Sequence, residues 1–62
     1  MPMTPKEMEK LLLKNGFKFV RQRGSHKFFY NADTNRSTTV PMHAKDLKAG
    51  TEHKILKDAG LL

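Results

Sequence analysis

The residues of this sequence that could do chemistry are concentrated in one stretch, "RQRGSHKFFY", at positions 21–30. Two arginines and a Gly-Ser pair precede His26, and a lysine and three aromatic residues follow it within that stretch. A histidine in such surroundings can be a core residue, a metal ligand, a phosphate contact or a group that transfers protons. The charges around His26 and the elements that position it decide among these roles.

The sequence carries a large excess of positive charge. Its 62 residues include 12 Lys and Arg against 6 Asp and Glu, which gives a net charge of +6. Lys18, Arg21, Arg23 and Lys27 place four of the positive charges within ten residues that contain no acid. A solvated basic surface is common, but its coincidence with aromatic residues and a histidine favours a polyanionic partner.

Length and composition exclude several classes of protein. A chain of this length predicts a single domain, residues 1–62, with a thin hydrophobic core. It has no cysteine, and its three histidines form no cluster with carboxylates, so we expect no disulfide, no metal and no cofactor. The longest purely apolar run has three residues and the N-terminus lacks a secretion signal, so we expect a soluble, cytoplasmic protein without membrane contact.

The segment "MTPKEMEKLLLKNGF" has the punctuation of a helix at both ends. Thr4 is a favourable N-cap, Pro5 suits the first helical position, and Glu7 completes a Thr-x-x-Glu capping box. Asn15-Gly16 predicts the C-terminal end, since glycine adopts the left-handed conformation of a C-cap.

Three strands are predicted in the middle of the chain. Residues 17–23, 26–31 and 36–41 alternate in the period of a strand or are rich in β-branched residues, with Gly24-Ser25 as the first turn and 32–36 as a polar hairpin loop. The simplest topology is a three-stranded antiparallel meander.

Strict alternation assigns side chains to the two faces of this sheet. His26, Phe28 and Tyr30 share one face, and we expect Phe29, on the other face, to be a core residue. In the first strand, alternation places Phe19 and Arg21 on the same face. Phe28 and Tyr30 could stack on bases, although core packing is the expected role for at least one of them.

A second helix is predicted over "TEHKILKDAGLL", with Thr51 at the N-cap and Gly60 at the end. Ile55, Leu56 and Ala59 should face inward, and Leu61 and Leu62 should fold back on the core. The order α-β-β-β-α predicts an α+β fold with both helices on one face of the sheet, which is also the element order of the double-stranded-RNA-binding domain.

A histidine in a basic groove can support the cleavage of RNA, because RNA carries its own nucleophile in the 2′-hydroxyl. The protein need only align the backbone, move a proton and stabilise negative charge. Arg21, Arg23 and Lys27 lie close to His26 in sequence, so a chain of this size could cleave RNA without a metal. Taken alone, a histidine in a basic strand is more often a hydrogen-bonding or phosphate-contacting residue.

The other polar candidates have plainer roles. Ser25 is expected to be a turn residue, although its hydroxyl could touch a phosphate or orient His26. His43 lies in a loop with Lys45 and Lys48, where capping of a backbone carbonyl is slightly favoured over a phosphate contact. His53 is expected on the surface of the second helix.

The stretch "RQRGSHKFF" followed by "TTVPMHAKDLKAGTEHKILKDAGLL" resembles the HicA toxin family, the small mRNA interferases of toxin–antitoxin pairs. The resemblance covers nearly the whole chain. It implies a double-stranded-RNA-binding-domain-like fold, ribosome-independent endoribonuclease activity on mRNA, and inhibition by an antitoxin of the HicB type. The family's catalytic histidine, in its Gly-Ser-His motif, corresponds to His26. His43 matches a histidine of the second pattern, and Met42 stands where many relatives carry arginine or another polar residue.

Residues and resemblance together give His26 as the catalytic residue. The predicted RNA contacts are Arg21, Arg23, Ser25, Lys27, His43, Lys45 and Lys48. The antitoxin is expected to bear acidic side chains and to cover His26 and the edge of the second strand. The alternative is a non-catalytic RNA-binding module with the same fold.

Overall fold

The computed structural model describes residues 3–62, which form two helices and one three-stranded sheet. The elements are α1 (Pro5–Lys14), β1 (Lys18–Arg23), β2 (His26–Asn31), β3 (Arg36–Pro41) and α2 (Ala49–Asp58). All strand pairs are antiparallel, in the order β1-β2-β3. The predicted meander and the α+β order of elements are therefore confirmed. Because β2 is the central strand, the prediction that an antitoxin covers an edge of the second strand is wrong.

The helix α1 begins and ends where the local signals predicted. The Thr4 hydroxyl accepts a hydrogen bond from the Glu7 backbone N–H at 3.1 Å, and the Glu7 carboxylate accepts one from the Thr4 N–H at 2.8 Å. Pro5 occupies the first turn, and Asn15 is the C-cap. Gly16 follows with a φ of +90°, a conformation that favours glycine.

The helix α2 begins earlier than its sequence suggested. Its N-cap is Lys48, which makes no side-chain capping bond, and the prediction of Thr51 as the N-cap is wrong. The first turn is instead tied to the N-terminal segment, since the Glu52 carboxylate accepts a hydrogen bond from the Met3 N–H at 3.0 Å. The Leu47 N–H in turn donates to the Met3 carbonyl at 2.8 Å.

The core lies between the sheet and the two helices. Phe29 is fully buried, as predicted, and it shares one cluster with side chains from both helices and from β3. The buried apolar residues are Met8, Leu12, Phe17, Phe29, Val40, Leu47, Ile55 and Ala59.

The C-terminal residues only partly follow the prediction. Ile55 and Ala59 are buried, and Leu56 and Leu61 are partly buried against the core. Leu62 stays 68% exposed, so the predicted folding back holds for Leu61 and is wrong for Leu62.

A β-bulge in β1 changes which face its arginines occupy. Phe19 pairs with Phe29, but the next register pair is Arg21 with Phe28, so Val20 is an extra residue in the strand. The prediction that Phe19 and Arg21 share a face is therefore wrong. Arg21 lies on the sheet face opposite the helices, here called the open face, which also carries His26, Phe28 and Tyr30 of β2.

Thr4 and Thr51, the two predicted N-caps, give a direct test of the helix boundaries. We expect Thr4→Ala to lower the free energy of unfolding by about 1 kcal/mol, because it removes a capping hydroxyl. Thr51→Ala should change it by less than about 0.5 kcal/mol, because Thr51 lies within α2 and caps nothing. Urea unfolding followed by circular dichroism measures both, and a comparable loss for the two variants would contradict the observed start of α2.

Candidate active site

The turn between β1 and β2 and the segment that follows β3 meet at one end of the sheet. His26 pairs with Pro41 in the register of β2 and β3, and with Arg23 across β1. The Ser25 carbonyl accepts a hydrogen bond from the Met42 N–H at 2.6 Å. Two motifs that are well separated in sequence, Gly-Ser-His and Val-Pro-Met-His, are thus neighbours in space.

His43 approaches His26 through a contact with the turn. The Ser25 hydroxyl and Nδ1 of His43 form a hydrogen bond of 3.0 Å. His26 and His43 are here called the histidine pair, and their ring centroids are 6.3 Å apart. Both histidines are exposed to solvent. The predicted cap on a backbone carbonyl is wrong, because the Nδ1 atom of His43 bonds to a side-chain hydroxyl.

The hydrogen bond with Ser25 also determines which atom of His43 can reach a ligand. With Nδ1 engaged, Nε2 is the nitrogen left to donate to or accept from a bound group. From the sequence, the Ser25 hydroxyl could contact a phosphate or orient His26. The structure gives it a different partner, the second histidine.

Two arginines share the open face with His26. Arg23 lies directly opposite His26 in the pairing of β1 and β2. The guanidinium carbon of Arg21 lies 4.8 Å from the ring centroid of Phe28, within the range of a cation–π contact. Both arginines are exposed, and the bulge at Val20 is the reason that they face the same way as the histidine.

Lys27 is not brought together with His26, although it is the next residue. Its ammonium group lies 3.1 Å from the carboxylate of Glu9 on α1 and 5.7 Å from the ring centroid of Phe19. Successive strand residues point to opposite faces, so Lys27 lies on the helix side of the sheet. A contact between Lys27 and RNA stays a prediction, and the observed ion pair does not favour it.

The remaining predicted contacts lie on the segment between β3 and α2. Lys45 and Lys48 are exposed on the same segment as His43, and Lys48 is the N-cap of α2. Met42, which replaces the polar residue expected from the family resemblance, is partly buried against the core. Its side chain is therefore a packing residue in this protein.

The open face also carries an arrangement of side chains across β2 and β3 that the sequence did not single out. Phe28 and Tyr30 each lie opposite a small hydroxyl residue of β3, so an aromatic row runs beside a hydroxyl row. The register between β2 and β3 creates this pairing, and the sequence of one strand alone does not reveal it. A cavity of about 750 Å³ is lined by six residues of this face together with Phe29, Thr38 and residues of α2; the six are Val20, Arg21, Phe28, Tyr30, Ser37 and Thr39, and those of α2 are Thr51, Lys54, Ile55 and Asp58.

The element order α-β-β-β-α, with both helices packed on one side of an antiparallel sheet, defines an α+β domain of the double-stranded-RNA-binding type. Within this class, residues 5–61 match the family model described as "HicA toxin of bacterial toxin-antitoxin". The match covers almost the whole chain, so the protein belongs to the HicA toxin family and is a toxin of a toxin–antitoxin system. Membership implies a cognate antitoxin. No curated protein matches the chain.

Neither helix in the described part of the chain has the length and apolarity needed to cross a membrane.

The contact between Ser25 and His43 can be tested in the free protein. We expect Ser25→Ala to change the imidazole nitrogen chemical shifts of His43, because it removes the hydrogen-bond partner of Nδ1. His53, on α2, provides an internal reference whose shifts should stay constant. Nuclear magnetic resonance of the labelled histidine rings measures both, and unchanged shifts at His43 would exclude the contact in solution.

Proposed function

We propose that this toxin is an mRNA interferase, a metal-independent endoribonuclease that acts in the cytoplasm with His26 as its catalytic base. The observation that carries the proposal is the position of His26, which is exposed at the start of β2 and lies on the same sheet face as two arginines and two aromatic residues. An exposed histidine beside arginines can accept a proton from RNA while the arginines hold the phosphate.

The proposed reaction uses the 2′-hydroxyl of the RNA as the nucleophile. His26 removes its proton, the 2′-oxygen attacks the adjacent phosphorus, and the bond to the 5′-oxygen breaks. Proton transfer by a positioned histidine contributes about 10²–10⁴-fold to such a rate. Arg23, directly across the strand from His26, is placed to stabilise the charge that develops on the phosphoryl oxygens.

The open face is proposed to bind the RNA around the cleaved bond. Arg21 and Arg23 contact phosphates, and Phe28 and Tyr30 offer ring faces on which unpaired bases can stack. Tyr30 is 40% exposed, so it is accessible for stacking. Further contacts are proposed from the polar and basic residues of the two neighbouring segments, Ser25, His43, Lys45 and Lys48.

The inhibitor is proposed to be an antitoxin of the HicB type. Since β2 has no free edge, the open face and the histidine pair are the surface that such a protein must cover to block RNA. The cationic side chains of this face would be matched by acidic side chains on the antitoxin, which would steer its association and add specificity.

A non-catalytic RNA-binding module remains the second candidate. The same arginines and aromatic rings would bind RNA without cleaving it, and the element order is shared with a domain that binds duplex RNA. The role of His26 separates the two candidates, since a binding module needs no proton-transfer group.

The substitution His26→Ala tests the catalytic proposal. It should slow RNA cleavage by about 10²–10⁴-fold, because it removes the group that accepts the proton. The growth arrest caused by the toxin should be lost as well, while the circular dichroism spectrum stays that of the parent. His53→Ala is the matched control and should cleave at the parental rate. If folded His26→Ala degraded transcripts as fast as the parent, the proposal would be wrong.

Modified substrates check the nucleophile and the absence of a metal. An RNA with a single 2′-deoxy sugar at the cleaved position should bind but stay intact, because the attacking oxygen is missing. Activity on ordinary RNA should persist in EDTA. Loss of activity in the chelator would contradict a metal-independent mechanism.

The location of the RNA surface is tested by two charge-neutralising variants. Arg21→Gln should weaken RNA binding and reduce the log–log salt slope by about 0.7, the value for one phosphate contact on single strands. Lys27→Gln removes the same charge on the helix side of the sheet, where Glu9 already pairs with it, and should have a smaller effect. Fluorescence anisotropy with an uncleavable RNA measures both, and equal losses would argue against the open face as the binding surface.

A further inference from the structure

We propose that His43 is a second catalytic residue, the general acid that protonates the leaving 5′-oxygen, and that Ser25 is its positioning residue. This inference rests on the proposed endoribonuclease function and extends it by assigning the second proton transfer. It is carried by two distances, 6.3 Å between the ring centroids of the histidine pair and 3.0 Å between the Ser25 hydroxyl and Nδ1 of His43.

The separation of the histidine pair suits one phosphate group between the rings. In a displacement at phosphorus, the attacking and leaving oxygens lie roughly in line on opposite sides of the phosphorus atom. A group that transfers a proton must come within about 2.6–3.2 Å of the oxygen it serves. Two rings at this spacing, tilted by 48° to each other, can serve one oxygen each.

The hydrogen bond with Ser25 is compatible with His43 as the acid of the pair. An imidazolium carries N–H groups on both nitrogens. The Ser25 hydroxyl can accept the Nδ1–H, which leaves the Nε2–H to be donated to the leaving oxygen. The hydrogen bond from the Met42 N–H to the Ser25 carbonyl joins the same two segments, so His43 is held in place relative to His26 by two contacts.

The neighbouring groups are poorer donors for this step. Arg23 lies opposite His26, and a guanidinium group can stabilise charge but does not serve as a general acid. Lys27 lies on the other side of the sheet with its ammonium group against Glu9.

The proton of the 2′-hydroxyl passes to His26 and the bond between the 2′-oxygen and phosphorus forms. The bond between phosphorus and the 5′-oxygen breaks, and its electron pair stays on that oxygen, which takes the proton of His43. The products are a 2′,3′-cyclic phosphate and a 5′-hydroxyl. Both rings are exposed, so solvent can restore their starting protonation states.

An RNA with sulfur in place of the bridging 5′-oxygen at the cleaved bond tests this assignment. A thiolate leaves without being protonated, so the sulfur substrate needs the base but not the acid. On ordinary RNA, we expect both His43→Ala and His26→Ala to be slower than the parent by about 10²–10⁴-fold. On the sulfur substrate, His43→Ala should recover to near the parental rate, whereas His26→Ala should remain slow.

The outcomes separate the possible failures. If His43→Ala is equally slow on both substrates, or not slow on ordinary RNA, His43 is not the acid. If His26→Ala is the variant that recovers, the two roles are reversed and the assignment is overturned. If His26→Ala cleaves ordinary RNA at the parental rate, the proposed function itself fails. His53→Ala is the control for both substrates, and His43→Gln replaces His43→Ala if the latter does not fold.

Variants of Ser25 test the positioning role. At saturating substrate, Ser25→Ala should be slower than the parent on ordinary RNA and close to it on the sulfur substrate, because the acid that Ser25 positions is needed only on ordinary RNA. Ser25→Thr keeps a hydroxyl and should restore much of the activity on ordinary RNA. A Ser25→Ala defect that persists on the sulfur substrate would contradict the role.

Discussion

The burial of Phe29 is the constraint on which the rest of the structure depends. Its side chain is fully buried between the sheet and both helices, in the middle of the central strand. Strand neighbours point to opposite faces, so this single anchor directs His26, Phe28 and Tyr30 to the open face. A shift of β2 by one residue would turn the histidine toward the core and expose Phe29. Such a shift is unfavourable, because a domain of this size has a thin core and would lose the contacts of its central residue.

The chemistry of the open face depends on an irregularity in β1 and on two contacts at the end of the sheet. The bulge at Val20 turns Arg21 and Arg23 toward His26, and the hydrogen bonds of Ser25 bring His43 beside it. An exposed hydrogen bond contributes only about 1 kcal/mol to stability. The contacts that hold the histidine pair therefore contribute little to the stability of the fold.

Basic side chains on the two sides of the sheet make different contacts. On the helix side, two lysines have acidic partners: Lys27 pairs with Glu9 and Lys54 pairs with Asp58, each at 3.1 Å. On the open face, the arginines contact an aromatic ring or solvent instead. Arg21 and Arg23 place positive charge on the face that carries the histidine pair, where it would attract both a phosphate backbone and the acidic side chains of an antitoxin.

Local sequence determined the elements of this fold, and tertiary structure decided which residues meet at the site. The ends of α1 and the bounds of β2 and β3 follow from capping residues, glycine and alternation, which act over a few neighbouring residues. The bulge at Val20, the early start of α2 and the approach of His43 to Ser25 involve partners that are distant in sequence. No short-range pattern encodes such pairings, because they form only when the core fixes how strands and segments lie against one another.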